Sequence, residues 1–206
     1  MARGPYKRNP ERISAMRQRI IESTARIIGD RGYSEASVAR IVEDVGISQG
    51  TFYRYFATRQ DLFDVVLPTY AERMLNFIQE HVDKDSVGLV REMQRMQAFL
   101  DFVADHPWFA RVVDEANVQA PAGNAAYFDR VVNGYVRTLN RAVERGEIVG
   151  YEPDELEGIA IALLAARSYY AKVYLSSMGP IGESRAAVLK GYRAFIERAL
   201  FLPAPR

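Results

Sequence analysis

The segment from Ser48 to Phe56 carries the side chains best suited to recognising a nucleic acid. Its sequence is Ser-Gln-Gly-Thr-Phe-Tyr-Arg-Tyr-Phe. In a helix, Phe52 and Phe56 lie one turn apart and face the core, which leaves Gln49 and Arg54 on the opposite side. Gln and Arg side chains can make paired hydrogen bonds to base edges in the major groove, Gln to adenine and Arg to guanine. The segment is therefore predicted to be a DNA-recognition helix.

Two helices are predicted to precede and position this segment. Apolar residues at helical spacing predict one amphipathic helix over residues 11–31, which Gly32 ends. Ser37 is expected to cap a short second helix that ends at Gly46, and Ser48 stands at the N-cap position of a third. The buried face of the second helix is expected to be Val38, Ile41, Val42 and Val45. Two short helices joined by a glycine-containing turn form the helix-turn-helix pattern.

The remaining chain is also predicted to be helical. Thr58 and Asp61 have the spacing of a capping box ahead of a fourth helix, which contains Pro68. Further helices are expected over residues 86–105, 107–117, 124–145, 154–177 and 184–201. The sequence thus predicts an all-α fold of about nine helices, with a three-helix DNA-binding domain over residues 1–60 and a helical bundle over residues 61–206.

Positive charge is concentrated near the N-terminus. Residues 1–60 carry 11 Lys and Arg against 6 Asp and Glu, whereas residues 61–206 carry 16 against 20. This asymmetry is typical of a chain with one nucleic-acid-facing end, although a solvated basic tail gives the same count. Candidates for a flexible arm that contacts phosphates or the minor groove are Arg3, Lys7, Arg8 and Arg12.

Several function classes lack the residues they need. The chain has no cysteine, and neither His81 nor His106 has a second histidine at metal-ligand spacing, so no metal and no cofactor are expected. There is no phosphate-binding glycine loop and no nucleophile elbow, so we do not expect an enzyme. The N-terminus lacks the apolar core of a signal peptide, and the most apolar window, residues 158–166, is shorter than the about 20 residues that span a bilayer. We expect a cytoplasmic protein that does not enter the membrane.

Residues 37–63, SVARIVEDVGISQGTFYRYFATRQDLF, resemble the DNA-binding domain of the TetR (tetracycline-repressor-like) family. The positions that carry the resemblance are Ser37, Gly46, Ile47, Ser48, Gly50, Thr51, Tyr53, Phe56, Asp61 and Leu62. It is strong over about 50 residues, from the first helix to the start of the fourth. The rest of the chain resembles the family only in the number and length of its helices.

Side-chain chemistry and this resemblance together imply separate roles in DNA binding. Gln49 and Arg54 are expected to contact bases, and Thr51 to contact a thymine methyl group. Ser48 and Gly50 shape the first turn, where a bare backbone permits close approach to DNA; a tolerated glycine at a frayed helix end is the alternative. The residues expected to hold phosphates are Ser37, Tyr53, Tyr55 and Arg59.

The resemblance also implies an effector pocket in the helical bundle. The candidates for binding a small apolar or amphipathic effector are Met93, Met96, Phe99, Trp108, Phe109, Tyr127, Tyr135, Arg167 and Tyr170. Thioethers and aromatic rings line adaptable apolar pockets, but the alternative for most of these residues is an ordinary bundle core.

The last two helices are expected to pack either on their own bundle or against a second copy of the chain as a four-helix interface. The candidate interface residues are Leu156, Leu163, Leu164, Leu189, Tyr192, Phe195 and Ile196. The resemblance favours the homodimer, which implies a palindromic operator in double-stranded DNA. It also implies a regulator that acts as a repressor. The alternative is a helical ligand-binding or adaptor protein whose helix-turn-helix is only structural.

Overall fold

The fold is described from a computed structural model, which describes residues 10–175 and 185–201. Over these residues the protein has nine α-helices and no β-strand, which confirms the predicted all-α class. The helices are α1 (Pro10–Arg31), α2 (Val38–Val45), α3 (Gln49–Phe52), α4 (Arg59–Glu80), α5 (Gly88–Asp105), α6 (Phe109–Gln119), α7 (Pro121–Glu144), α8 (Leu156–Leu175) and α9 (Arg185–Ile196). A 3-10 turn (Tyr33–Glu35) precedes α2, and a π-helical turn (Glu197–Phe201) continues α9.

The predicted starts of α1 and of α5 to α7, and their predicted ends, differ from the observed ones by at most three residues. The largest difference is at α7, because the stretch from Pro121 to Gly123 was expected to separate two helices. It forms the first turn of α7 instead. Proline is favoured at the first position of a helix, where no backbone N–H is needed and its fixed φ suits the helix. The fourth helix likewise continues through Pro68.

The described residues pack as two compact units. The first contains residues 10–69 and 111–124, and the second contains residues 70–110, 125–175 and 185–201. The sequence predicts a DNA-binding domain over residues 1–60 and a separate helical domain over residues 61–206. This division of functions stays a prediction. In packing, the first unit takes in the start of α4 and most of α6 besides the helix-turn-helix.

The core of the first unit comes from the apolar faces of α1, α2 and α3. Ile20, Ile28, Ile41 and Phe52 are fully buried there. Tyr33 is buried beside them, and its ring packs edge-on against Phe63 with ring centroids 4.9 Å apart. Edge-on aromatic pairs contribute about 0.5–1.5 kcal/mol beyond the area they bury. The packing holds the 3-10 turn against the start of α4.

The second unit is a helical bundle built largely from α5, α7, α8 and α9. The ring of Trp108 packs edge-on against Tyr70 with centroids 4.6 Å apart, and the interior of α5 is lined by Met96, Leu100 and Phe102. Within the ranges that the structure describes, no helix is long and apolar enough to cross a membrane.

Candidate DNA-binding site

Contacts between α1 and α2 fix the orientation of the helix-turn-helix. The Ser23 hydroxyl donates to Oδ2 of Asp44 over 2.6 Å, and Nη2 of Arg26 lies 3.2 Å from the same oxygen. Nη2 of Arg19 donates to the carbonyl of Val45, the last residue of α2, over 3.0 Å. These polar contacts reach across two helices, so α2 cannot rotate about its axis without losing them. They are positioning contacts that the sequence pattern did not identify.

Both ends of α2 are capped as the sequence predicted. Oγ of Ser37 accepts from the Arg40 amide over 3.3 Å, and Gly46 adopts a left-handed conformation with φ of 75°. The Gly46 amide donates back to the Val42 carbonyl over 2.9 Å. Left-handed backbone strains any residue with a Cβ, so glycine suits this turn. The Ser37 hydroxyl is used as an acceptor, but its proton remains able to reach a phosphate oxygen.

The third helix is shorter than predicted. Regular α-helix covers only Gln49–Phe52, whereas the prediction extended it to Phe56. After Phe52 the backbone hydrogen bonds join residues three apart instead of four. The Arg54 amide donates to the Thr51 carbonyl, and the Tyr55 amide donates to the Phe52 carbonyl. The run of aromatic residues has low helix propensity, and such tightening is common at helix ends.

The first turn of α3 is fixed by hydroxyl groups. Oγ of Ser48 accepts from the Thr51 amide over 3.1 Å, which confirms the predicted N-cap. The two hydroxyls lie 3.0 Å apart, and Nη2 of Arg54 donates to the Thr51 hydroxyl over 3.2 Å. The Arg54 guanidinium is thereby held beside the first turn while its side chain stays exposed.

Two phenylalanines attach this segment to the core, as predicted. Phe52 is fully buried and Phe56 is 4% exposed, with ring centroids 5.9 Å apart. The Arg17 guanidinium lies 5.0 Å from the centre of the Phe56 ring, which adds a cation–π contact from α1. Burying the two rings on one side determines which side chains face outward.

The outward face carries the predicted base-reading residues. Gln49, Gly50, Tyr53 and Arg54 are exposed, and Thr51 and Tyr55 are half-buried. At Gly50 an added Cβ would come near only the Ser48 hydroxyl, 4.0 Å away, among the described atoms. No packing among the described residues therefore requires a glycine at position 50.

The start of α4 carries another exposed arginine. The Thr58 amide donates to Oδ2 of Asp61, and the Asp61 amide donates to the Thr58 hydroxyl, each over 3.0 Å. This reciprocal pair confirms the predicted capping box. Arg59, at the first position of α4, is exposed and lies 4.9 Å over the Phe63 ring. Arg12 is exposed on α1, whereas Arg3, Lys7 and Arg8 lie outside the described residues.

The segment 111–124 braces the helix-turn-helix from within the first unit. Oε2 of Glu115 accepts from the Tyr33 amide over 2.9 Å, and Nη1 of Arg111 donates to the Asp30 carbonyl over 3.0 Å. Burial raises the pKa of Glu115, but hydrogen bonds from Arg111 and the Tyr33 amide outweigh that effect and hold it below its ordinary value. These contacts join the start of α6 to the end of α1.

The second unit contains a buried polar cluster formed by Glu92, Tyr135, Arg167 and Tyr192. Oε1 of Glu92 accepts from the Tyr135 hydroxyl over 2.7 Å, from the Tyr192 hydroxyl over 2.8 Å, and from Nη2 of Arg167. Burial alone raises the pKa of Glu92, yet the Arg167 charge and these hydrogen bonds bring it below its ordinary value. Burial disfavours the charged form of Arg167, but Glu92 and the two tyrosines raise its pKa.

Glu92 was not among the residues predicted to be functional, although its position in the sequence indicates that it is buried. It lies three residues after Leu89 and four before Met96, on the face of α5 that also carries Phe99 and Val103. A carboxylate on an otherwise apolar helix face must find a buried partner or shift its pKa. Arg167 was identified as a polar residue in apolar surroundings, and it is that partner.

The predicted effector residues are spread over the second unit, and no single cavity among the described residues is lined by all of them. Met93 lines an open groove of about 410 Å³ together with Leu189 and Arg193. Tyr135 and Arg167 belong to the polar cluster. The aromatic and thioether candidates that are buried in helix packing are Met96, Phe99, Phe109 and Tyr127, while Trp108 and Tyr170 are half-buried. Burial raises the pKa of Tyr127 to about 12. Effector binding by this set stays a prediction.

The predicted dimer face needs a correction. Leu156, Leu163, Tyr192 and Ile196 are all buried inside the second unit of a single chain, so they are not available to a partner. Their apolar spacing reflects packing on the chain's own bundle. Leu164 and Leu189 are half-buried, and only Phe195 of the predicted set is exposed.

An exposed apolar face lies elsewhere on α8. It consists of Gly158, Ile161, Ala162, Ala165 and Tyr169, which recur at helical spacing and are all exposed. Ile161 is 50% and Tyr169 is 70% exposed. Helix α8 thus carries apolar residues both on its buried side and on its outer side.

Comparison with known proteins agrees with this geometry. Residues 20–66, which span most of α1 through the start of α4, match the sequence model described as bacterial regulatory proteins, tetR family. The chain is 25% identical over 157 residues to the nucleoid occlusion factor SlmA of Pasteurella multocida, which covers 72% of this chain and 76% of that protein. For the Haemophilus influenzae protein of the same name, the match covers 61% of its length. The HTH-type transcriptional repressor AcnR of Corynebacterium diphtheriae is 33% identical over 106 residues, covering 52% of this chain and 50% of that one.

Solved structures share the fold over nearly the whole chain. A putative tetR family transcription regulator from Shewanella sp. PV-4 has a TM-score of 0.75 at 14% identity, covering 91% of this chain and 99% of that one. A putative TetR-family transcriptional regulator from Syntrophomonas wolfei has a TM-score of 0.71 at 18% identity, covering 89% and 94%.

The capped helix-turn-helix and its exposed polar face define a DNA-binding regulator rather than an enzyme. Residues 20–66 are a DNA-binding segment of the tetR-family type, and solved TetR-family structures share the fold of the chain. The predicted family and the predicted class of transcriptional regulator are confirmed.

Proposed function

We propose that this protein is a sequence-specific regulator that binds a palindromic operator as a homodimer in the cytoplasm and represses transcription until a small effector releases it. The observation that carries the DNA-binding part is the exposed set of Gln49, Gly50 and Arg54 on a segment held by two buried phenylalanines. Because the segment is fixed before binding, little ordering entropy opposes its entry into a major groove.

Base-reading and phosphate-holding arginines differ in how they affect specificity. Arg54 lies on the exposed turn and is expected to contact a base, whereas Arg59 at the start of α4 is expected to contact a phosphate. Losing a base contact costs about 1–3 kcal/mol at the correct site only. Losing a phosphate contact weakens binding to all sequences and lowers the salt dependence by about one unit of slope.

The test begins with selection of bound duplexes from a random pool, followed by gel-shift titrations at several salt concentrations. Arg54→Ala is expected to weaken the selected operator much more than random DNA, and Arg59→Ala to weaken both alike. Equal losses on both DNAs for Arg54→Ala would refute its base-reading role. Absence of salt-dependent binding by the wild type would instead favour the alternative of a helical adaptor with a structural helix-turn-helix.

The exposed face of α8 is the surface on which a second copy is expected to pack. Its small residues permit close helix approach, and its Ile161 and Tyr169 side chains supply apolar area. Ile161→Asp is expected to give a monomer in light scattering at micromolar concentration. Phe128→Asp is the matched control, because Phe128 on α7 is 49% exposed and lies outside this face. A monomeric wild type would overturn the dimer.

Effector release is supported by the segment 111–124, whose hydrogen bonds hold the end of α1 and the start of α4. Glu115 binds the Tyr33 amide, and the Gly123 amide donates to Oδ1 of Asp64 over 3.1 Å. A shift of the segment 111–124, which spans most of α6 and the first turn of α7, would have to break or carry along these contacts. Apolar and amphipathic compounds are to be screened for a change in operator affinity and melting temperature. If no compound changes either quantity, the proposal that a small effector releases the protein from its operator is refuted.

A further inference from the structure

A small cavity in the second unit is lined mainly by charged side chains. Its volume is about 90 Å³, and it lies where the first half of α5 faces the end of α7 and the turn that follows α9. Its charged lining residues are Arg91, Arg95, Arg141, Arg145, Glu92 and Glu147. Four arginines therefore face two glutamates.

Both carboxylates are already used by other groups, so they neutralise less of this charge than their number suggests. Oε1 of Glu92 is bonded to Arg167 within the buried cluster. Oε2 of Glu147 accepts from the Gly88 amide over 2.8 Å and so caps the N-terminus of α5, while its Oε1 lies 3.7 Å from Nη1 of Arg145. The cavity as a whole carries excess positive charge.

Of the two half-buried arginines in the cavity, Arg91 and Arg95, Arg95 has the weaker charge compensation. Its side chain is 23% exposed, and its only ion-pair contact among the described residues is Oε2 of Glu92 at 3.7 Å, beyond hydrogen-bond distance. Burial lowers the pKa of Arg95, with Glu92 partly opposing the effect, but the guanidinium stays charged at neutral pH. A largely buried cation without hydrogen-bond acceptors is costly, and a bound anion would remove that cost.

We propose that this cavity binds a small oxyanion, a phosphate or carboxylate group, with Arg95 as the central ligand and Arg141 at the rim. The planar guanidinium fork matches two oxygens of either group. The volume is well below the about 300–1,000 Å³ of pockets that hold drug-sized ligands, and it suits one small oxyanion group. The site lies wholly within the second unit and does not depend on DNA binding.

The test uses the full chain with inorganic phosphate, acetate and chloride at matched ionic strength, followed by calorimetry and thermal unfolding. The wild type is expected to bind phosphate or acetate and to melt at a higher temperature in its presence than in chloride. A response to phosphate alone identifies the ligand group as phosphoryl, and a response to acetate identifies it as carboxylate.

Arg95→Gln removes the charge that the oxyanion would contact. Loss of a charge-assisted hydrogen bond is expected to weaken the affinity by about tenfold or more. Arg141→Gln, at an exposed position on the rim, gives a second variant whose folding is not at stake if Arg95→Gln fails to fold. Arg137→Gln is the matched control, since Arg137 is exposed on α7 outside the cavity. No binding beyond chloride, or unchanged affinity in the folded cavity variants, would overturn the site.

Discussion

The ion pair between Glu92 and Arg167 offers a direct test of how burial determines the contribution of a charged side chain to the free energy of unfolding. Glu92 is 4% and Arg167 is 5% exposed, and the carboxylate also accepts from two tyrosine hydroxyls. Glu92→Gln keeps the shape and one acceptor oxygen but removes the negative charge. Arg167 is then left as a buried cation without a counter-ion. Breaking a buried pair in this way costs about 3–5 kcal/mol of unfolding free energy.

A second glutamate in the same unit provides the control. Oε1 of Glu72 lies 3.2 Å from Nη2 of Arg130, and these side chains are 55% and 50% exposed. Water screens this pair, so Glu72→Gln is expected to cost about 0–1 kcal/mol. The two substitutions remove the same chemical group from the same type of partner and differ in burial. The difference of about 2–5 kcal/mol between them corresponds to a melting temperature lower by about 4–20 °C for Glu92→Gln than for Glu72→Gln, at about 2–4 °C per kcal/mol for a chain of this size.

The assay is urea unfolding followed by the fluorescence of Trp108. It is the only tryptophan of the chain and packs against Tyr70 in the second unit, so its signal reports on the unit that contains both pairs. Thermal unfolding followed by circular dichroism gives an independent measure. If the two variants unfold within about 1 kcal/mol of each other, the reasoning that burial makes the Glu92 charge essential is refuted.

Three further predictions use contrasts within the chain. An added Cβ at Gly123 would lie 2.7 Å from the Asp64 carbonyl oxygen, so Gly123→Ala is expected to destabilise by about 1–3 kcal/mol. At Gly134, in the same helix α7, an added Cβ would make only an ordinary contact, 3.8 Å from Nη2 of Arg137, and alanine there is expected to stabilise by up to about 1 kcal/mol; equal signs in urea unfolding would contradict this. The buried hydroxyl of Tyr33 has no hydrogen-bond partner among the described residues, so Tyr33→Phe is expected to raise the melting temperature, and a clear fall would show that a partner exists. The pKa of Glu92 is lowered in the folded state, so the ionised carboxylate stabilises the folded protein at any pH above the unfolded-state pKa of about 4.3. This stabilisation is lost as the pH falls through the folded-state pKa. The stability difference between wild type and Glu92→Gln should therefore shrink in acid.

The helix-turn-helix was the part of the fold most fully predictable from sequence, because its determinants are local. Ser37 and Ser48 cap helices through amides three residues away, and Thr58 with Asp61 does so in both directions. Gly46 permits a left-handed turn that other residues avoid. Each of these effects acts within one turn of helix, so a short stretch of sequence contains all the information needed.

The length of the recognition helix was less predictable, since it depends on how Phe52 and Phe56 both reach the core. Regular helix ends at Phe52, and the tighter turn that follows carries Arg54 back toward Thr51. The polar contacts between α1 and α2, such as Ser23 with Asp44, likewise join residues far apart in sequence. Their partners are identified only when the helices are packed.

In the second unit, helical spacing predicted where helices form but not which neighbour each face meets. An apolar face looks the same in sequence whether it packs on its own bundle or on a second copy, and Tyr192 and Ile196 proved to be core residues. For the same reason Glu92 gained its partners Arg167 and Tyr192 only through folding, 75 and 100 residues along the chain. The sequence by itself determined where helices form, how they are capped and the resemblance to the TetR family. Only the tertiary structure decided which charges are buried together, because that depends on contacts between helices that no local pattern encodes.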